Sequence, residues 1–370
     1  MPSITTDTIK TLSEIRADNS VSLFVPTERS GPETEQSRIR LKNLLTAVND
    51  VLLESGMRRP EAESLLEPAA SKLDRREFWQ HQGDGLAVFL SPDGTWEYRL
   101  SVKVPEVGVV APRFHLLPLL GAMSRERLLL LAISRAKVRL FELTEEGTAP
   151  RDFDGPKSLA EAVRHADREA QLQQHAVGGG SAAFHGHDPS EQEAEDLRRF
   201  LTNVARGIGH VSKEIGADVI IAAVDELASA YRTEASHRLV DQTIPGNPDD
   251  LSNSELYRRG VEMMRSRIEE NRRNAARRLE EAIGQDRAAI GFEATLEAAQ
   301  AGRVAELMWN ERTPAFDSGA VLDLRGEIDE TARAVSMLER AAVETLKHGG
   351  TTWILPSDID GEPIGAILRY

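Results

Sequence analysis

The chain has 370 residues, 40% of them hydrophobic and 28% charged, with a formal charge of −15 and no cysteine. That length exceeds what one core usually organises, so two or three domains are expected. The missing thiol excludes disulfides, cysteine-ligated zinc, iron–sulfur clusters and thiol catalysis. The acidic balance argues against generic nucleic-acid affinity, though not against docking through a local basic patch.

Aromatic residues are only 5% of the chain, so Leu, Val, Ile and Ala must carry the core. The longest apolar run, RLLLLAIS, is too short to span a membrane. The opening MPSITTDTIK lacks the charged-then-apolar pattern of a secretory signal. A cytoplasmic protein with no membrane partner is expected.

Helix and strand signals alternate from the start. TTDTIKTLSEI reads as a short helix capped by Thr6 or Asp7. VSLFVPT reads as a buried strand ended by Pro26. The next segment places Ile39, Leu41, Leu44, Leu45, Val48, Val51 and Leu52 on one helical face, with Gly56 as the stop. A helix near Glu61 to Leu73 precedes DGLAVFLSPDGTWEYRL, two β-runs around Pro-Asp-Gly that predict a hairpin. A strand and a short helix follow in KVPEVGVVAPRFHLLPLLGAM.

RLLLLAISRAKVRLFELTEEG predicts two strands joined at SRAK, the first apolar on both faces. A helix is expected from Leu159 to Leu172, and then QLQQHAVGGGSAAFHGHDPSEQE offers almost nothing to bury. The long helix EAEDLRRFLTNVARGIGHVSKEIG and the strand ADVIIAAVDE come next, which together suggest an α/β layer. LVDQTIPGNPDDLSNSELY reads as a turn-rich passage. It leads into a long helix carrying Arg258, Arg259, Arg265, Arg267, Arg272, Arg273, Arg277 and Arg278, with Glu269, Glu270, Glu280 and Glu281 interleaved. Such a stripe is either a solvated face of i,i+4 pairs or an RNA-backbone contact. A helix, a turn at Gly302 and a strand follow, then a helix stopped by Gly349 and Gly350, then the β-runs TTWILP and GAILRY.

Several of these segments resemble, in order, the archaeo-eukaryotic class-1 peptide release factors and Pelota. GFEATLEAAQAGRVAELMW and the closing GEPIGAILRY resemble the family's third domain. RFHLLPLLGAMSRERLLLLAISRAKVRLFEL resembles its passage from first to second domain, and NSVSLFVPTER with GDGLAVFLSPDG resembles first-domain strands. The chain is thus identified as a member of the bacterial branch of this superfamily. The resemblance implies an α/β protein of three domains. The first, residues 1–123, is a degenerate codon-reading-like domain. The middle one, 124–252, is RNase-H-like with a Gly-rich loop at 175–187. The third, 253–370, is a small α/β sandwich like kink-turn-binding ribosomal proteins, led by the long basic helix.

In the family, a middle-domain loop bearing Gly-Gly-Gln enters the peptidyl-transferase centre and helps water cleave peptidyl-tRNA. HAVGGGSAAF occupies that place here, and Gly180 stands where the glutamine would be. A glycine tip suits close approach to RNA. The backbone N–H groups at Gly180 and Ser181, beside Gly179, remain as donors for developing negative charge. The first domain departs too: PETEQSRIRLKNLL, with Thr34, Glu35, Gln36 and Ser37, replaces the family's Asn-Ile-Lys-Ser, so stop-codon specificity is not expected. The resemblance therefore implies a monomeric, cofactor-free factor that enters the ribosomal A site in rescue, stalling or hibernation. Weak peptidyl-tRNA hydrolysis would be backbone-mediated. His175, Arg258, Arg259, Arg265 and Arg272 are the expected RNA contacts, and the C-terminal domain would dock a translational GTPase.

Two other chemistries compete. His185 and His187 stand two apart, so on an extended segment they face the same way and can share a metal, which would make the protein a metal-dependent hydrolase; a non-catalytic interaction protein, docking through its third domain, is a separate alternative. Ser181 with a histidine base lacks the strand-to-helix context of a nucleophile elbow. GxGxxG and P-loop patterns are missing. Trp79, Trp96, Trp309 and Trp353 are scattered, which predicts packing rather than base stacking.

Overall fold

A computed structural model describes residues 4–28, 31, 34–80, 82–100, 102–144, 147–164, 189–313, 316, 318–326 and 328–370. The described residues form a mixed α/β protein with three sheets. The chain forms two compact units: residues 126–268, and residues 1–125 together with 269–370.

The middle unit is built around one strand. β5 (Leu128–Ile133) is buried along its whole length. The strands around it are β6 (Val138–Thr144), β7 (Gly147–Arg151), β8 (Asp218–Ala223) and β9 (Leu239–Pro245), in the order β7-β6-β5-β8-β9. β6 and β7 run antiparallel as a meander, while β8 and β9 are parallel additions on the other side. Side chains of a strand alternate between faces, and β5 divides its leucines accordingly. Leu129, Leu131 and Ile133 pack with Phe200, Val204, Ile208 and Tyr231. Leu128, Leu130 and Ala132 pack with Leu256, Met264 and Ile268. The first face is covered by helices Pro189–Ile215 and Asp225–Glu234, the second by the first half of the 32-residue helix Asn253–Gly284. At about 1.5–3 kcal/mol for each buried leucine, this strand is the unit's energetic axis. The covered strand expected at RLLLLAIS is therefore present.

The other unit holds two sheets. Helix α1 (Thr6–Glu14) opens it, capped by Thr5 rather than Thr6 or Asp7, because Thr5 Oγ1 accepts from the N–H of Thr8. β1 (Ser20–Pro26), β2 (Gly85–Ser91), β3 (Gly94–Leu100) and β4 (Val107–Ala111) pair antiparallel in the order β4-β1-β2-β3. The expected hairpin is present, with Ser91 opposite Gly94. Helix α2 (Thr34–Glu54) lays Leu41, Leu44, Leu45, Val48 and Leu52 over Val21, Leu23 and Val25. Ile39 departs from the expected face: it is 46% exposed, half a turn away from the buried stripe. The closing sheet, order β10-β14-β11-β13, comprises Ala288–Ile290, Ile364–Leu368, Val304–Asn310 and Thr351–Leu355. Helices Phe292–Gln300 and Glu330–Lys347 contribute to its packing, and Gly302 makes the expected turn with φ +68°.

Two long-range features join the ends of the chain within this unit. β12 (Ala320–Asp323) adds to the first sheet as an edge strand parallel to β4, with Val321 opposite Gly108. The N–H of Gly319 donates to the carbonyl of Glu106, and that of Leu324 to the carbonyl of Val110. The second feature explains the Phe-His of the domain junction. His115 is buried, and its Nδ1 lies 2.7 Å from Glu339 Oε2. The same oxygen accepts from the N–H of Leu116 at 2.8 Å and Leu117 at 3.2 Å, where helix Leu117–Ser124 begins with no side-chain cap of its own. Trp79 and Trp309 are buried and Trp96 and Trp353 half-buried, as packing rather than stacking requires.

Candidate functional site

The expected loop belongs to the middle unit, and its tip lies outside the described residues. His175, Gly179, Gly180, Ser181, His185 and His187 all fall there, as does the last part of the helix expected to run to Leu172. The two stems are described, and both are fastened at the SRAK turn between β5 and β6. On the incoming side, residues 159–164 are helical, and the N–H of Leu159 donates to the carbonyl of Arg135 at 2.9 Å. On the outgoing side, Arg135 Nη1 pairs with Glu193 in the first turns of helix Pro189–Ile215 at 2.5 Å. One residue thus holds both stems, by its backbone on one side and its guanidinium on the other. The ion pair is exposed, so its own contribution is at most about 1 kcal/mol.

The turn itself is ordered by Ser134, whose Oγ accepts from the N–H groups of Ala136 and Lys137 and donates to Asp249 at 2.5 Å. The strap leading to the incoming stem is held from below. A Cβ at Gly207 would come within 1.9 Å of the Asp154 carbonyl oxygen. Glycine inside a helix costs about 1 kcal/mol relative to alanine; here it lets helix Pro189–Ile215 lie directly under the strap. Lys157 sits over the Phe153 ring at 3.5 Å and bonds Asp152 at 2.5 Å.

The basic helix is described in full. Arg258 and Arg259 both bond Glu255, at 2.8 Å and 2.6 Å, and Arg258 also reaches Glu262 at 3.3 Å. These hydrogen bonds hold the Glu255 carboxyl well below its ordinary value, at about 2. Arg267 serves the fold: its Nη2 pairs with Asp218 at 2.8 Å and its Nε with Glu126 at 3.3 Å. Arg278 pairs with Glu306 through both branches of its fork. Arg272 is partnered, and Arg265 is exposed with no ion pair among the described residues. Arg258, Arg265 and Arg272 recur every seven residues and so fall on one stripe of the helix. The salt-bridge reading of this helix is realised at its N-terminal turns.

At the segment replacing Asn-Ile-Lys-Ser, Thr34 begins helix α2 and Glu35 is paired with Arg38. Ser37 is buried, its Oγ accepting from the N–H of Glu28. Among the described residues no group of three or more His, Asp or Glu is placed to hold a metal, and no helix is long and apolar enough to cross a membrane.

Two features, one at the loop stems and one in the other unit, escaped the sequence reading. The Arg135–Glu193 tether spans 58 positions, so no local pattern announces it. Glu339 did leave a signal: it is a charged residue on the stripe of Val335, Leu338, Ala342 and Leu346, which are buried.

The middle unit is an α/β layer whose two described loop stems are both fastened at Arg135. Residues 127–303 match the family model described as bacterial archaeo-eukaryotic release factor family 3. That family lies in the bacterial branch of the archaeo-eukaryotic release factor superfamily, and the likeness to it runs over the middle sheet and the long basic helix. No curated protein matches this chain. Among solved structures it is similar to archaeal Pelota in a model of ribosome-bound archaeal Pelota and ABCE1, at 13% identity over 100% of this chain and 95% of that one, TM-score 0.39. It is similar to an archaeal translation termination factor, aRF1, at 12% identity over 100% and 99%, TM-score 0.23. A third similar structure is S. cerevisiae Dom34, a translation termination-like factor involved in RNA quality control pathways and interacting with Hbs1, at 10% identity over 65% and 62%, TM-score 0.38.

Proposed function

We propose that this protein is a ribosome-associated factor that enters the A site during rescue, stalling or hibernation, with loop 175–187 directed at the peptidyl-transferase centre. The observation that carries this reading is the family match across residues 127–303, which covers the middle sheet, the loop's outgoing stem and the basic helix. The protein acts as a cytoplasmic monomer in three functional modules, residues 1–123, 124–252 and 253–370. Arg258, Arg259, Arg265, Arg272 and His175 contact ribosomal RNA, and the C-terminal module docks a translational GTPase. Sedimentation of the tagged, full-length protein with ribosomes from growing and starved cells tests the reading. Co-migration supports it, and recovery only in the ribosome-free fraction overturns it.

Hydrolysis, in this reading, is weak and backbone-mediated. The N–H groups of Gly180 and Ser181 would stabilise the oxyanion or leaving alkoxide once water is excluded, without the positioning a glutamine side chain supplies. Purified protein added to stalled ribosome–peptidyl-tRNA complexes decides this point. Release above buffer supports hydrolysis, and none leaves a factor that acts by occupying the site.

A further inference from the structure

Two adjoining clefts in the unit formed by the chain's ends share Arg16, Arg113, Phe114 and Glu339 as walls. One, of about 280 Å³, is largely apolar, with Val109, Leu324 and Val335 along its side. The other, of about 190 Å³, is more polar and adds Arg340 and Lys347. Lys347 is paired with Glu344 at 3.4 Å. The three arginines differ from their counterparts elsewhere: among the described residues none of them is ion-paired to a carboxylate.

That is a costly arrangement in a chain with a net charge of −15, where Arg151, Arg258, Arg259 and Arg278 all find glutamates. Arg16 donates through Nη1 to the carbonyls of Ser13 and Ile15, and Arg113 donates through Nη2 to Ser336 Oγ at 2.7 Å. A guanidinium has five N–H donors, so most of each fork is uncommitted. Glu339 partly offsets the charge of Arg113, but its Oε2 is already engaged by His115 and by the N–H groups of Leu116 and Leu117. Burial lowers the Arg113 pKa; Glu339 opposes this, and the charges of Arg340 and Arg16 add to it.

We propose that the joined clefts bind a small organic anion, its carboxylate or phosphate held by Arg16, Arg113 and Arg340 and its apolar body lying against the half-buried Leu324 and Ile328. Guanidinium forks match both oxyanions in planar, two-point geometry. The apolar cleft, adjoining at Arg113, favours an anion with a hydrocarbon body over a bare ion. The proposal rests neither on the loop nor on ribosome binding.

Titration calorimetry of the full chain at low salt, with phenyl phosphate, benzoate and inorganic phosphate as probes, tests it. Saturable one-site binding of phenyl phosphate or benzoate, tighter than inorganic phosphate by at least about fivefold, is expected from burial of the ring. Which of the two binds better separates the phosphate from the carboxylate source. Arg113→Gln is expected to weaken binding at least about tenfold, the loss of a charge-assisted hydrogen bond. Arg340→Gln, at an exposed position that leaves the fold intact, should do the same, and the remote Arg198→Gln should not. The proposal is overturned if no probe binds saturably below about 10 mM, a range weaker than any specific small-ligand site. It is also overturned if Arg340→Gln binds as the unaltered protein does, or if inorganic phosphate matches phenyl phosphate.

Discussion

The two compact units are built on opposite plans. The middle unit is one uninterrupted stretch, 126–268, folded around a strand whose two faces are both buried. The other unit joins residues 1–125 to 269–370 through a shared apolar cluster that includes Ile9, Leu12, Leu119, Leu338 and Leu346, and adds a four-residue strand and one buried glutamate. Both units rest on apolar packing, but the discontinuous one adds a buried polar junction in which a single carboxylate serves His115, Leu116 and Leu117. Loss of one leucine should therefore be graded, and loss of the glutamate abrupt.

Four substitutions would break or sharpen that contrast. Glu339→Ala is expected to have the largest effect, about 3–5 kcal/mol, because it strands His115 and the two N–H groups of Leu116 and Leu117 without a partner. Hydrogen exchange should show the loss confined to 1–125 and 269–370, with β5 still protected; uniform exposure of both units would contradict the division. Leu130→Ala should cost about 2–5 kcal/mol by leaving a cavity between β5 and the long helix, and here the loss of protection should fall on residues 126–268. Val321→Ala, which trims the edge strand where it packs on helix α2, should cost about 1–2 kcal/mol at roughly 0.8 kcal/mol per methylene. Denaturant midpoints would reveal it, and an unchanged midpoint would mean that β12 adds nothing to the first sheet.

The smallest effect concerns acid. Glu255 has its pKa depressed to about 2 from 4.5, so its pairing with Arg258 and Arg259 favours the folded helix above the higher value. That contribution fades as pH falls through about 2. Glu255→Gln should remove this pH dependence and lower the neutral-pH midpoint only slightly, as befits an exposed pair. Acid titration followed by circular dichroism checks it.

Much of the architecture was readable because apolar periodicity was strong where burial is complete. RLLLLAIS, ADVIIAAVDE and the helix stripe at Leu41, Leu44, Val48 and Leu52 all announce themselves. Elements at sheet edges did not. LVDQTIP exposes Asp241 and Gln242 and ends in proline, so it reads as a turn although it forms β9 beside β8. β7, helix Asp225–Glu234 and β12 were missed for a related reason: short or half-exposed segments carry little period. Ile39 erred the other way, since an isoleucine near an apolar stripe was counted into it. For the site, composition alone marked the glycine loop. The residue that holds its stems, Arg135, was visible only as part of a turn, because its partner Glu193 lies beyond the loop itself.

The parallel pairing of Ala320–Asp323 with Val107–Ala111 has a consequence for biosynthesis. β4 is wholly buried in the finished protein, yet its neighbour on the outer side leaves the ribosome roughly 200 residues later, on the order of 10–40 s at ordinary elongation rates. Throughout that interval the nascent chain carries a naked Val-Gly-Val-Val-Ala border with unpaired amides, the kind of template on which other chains polymerise. Newly made protein should therefore lean on chaperones far more than the mature molecule does.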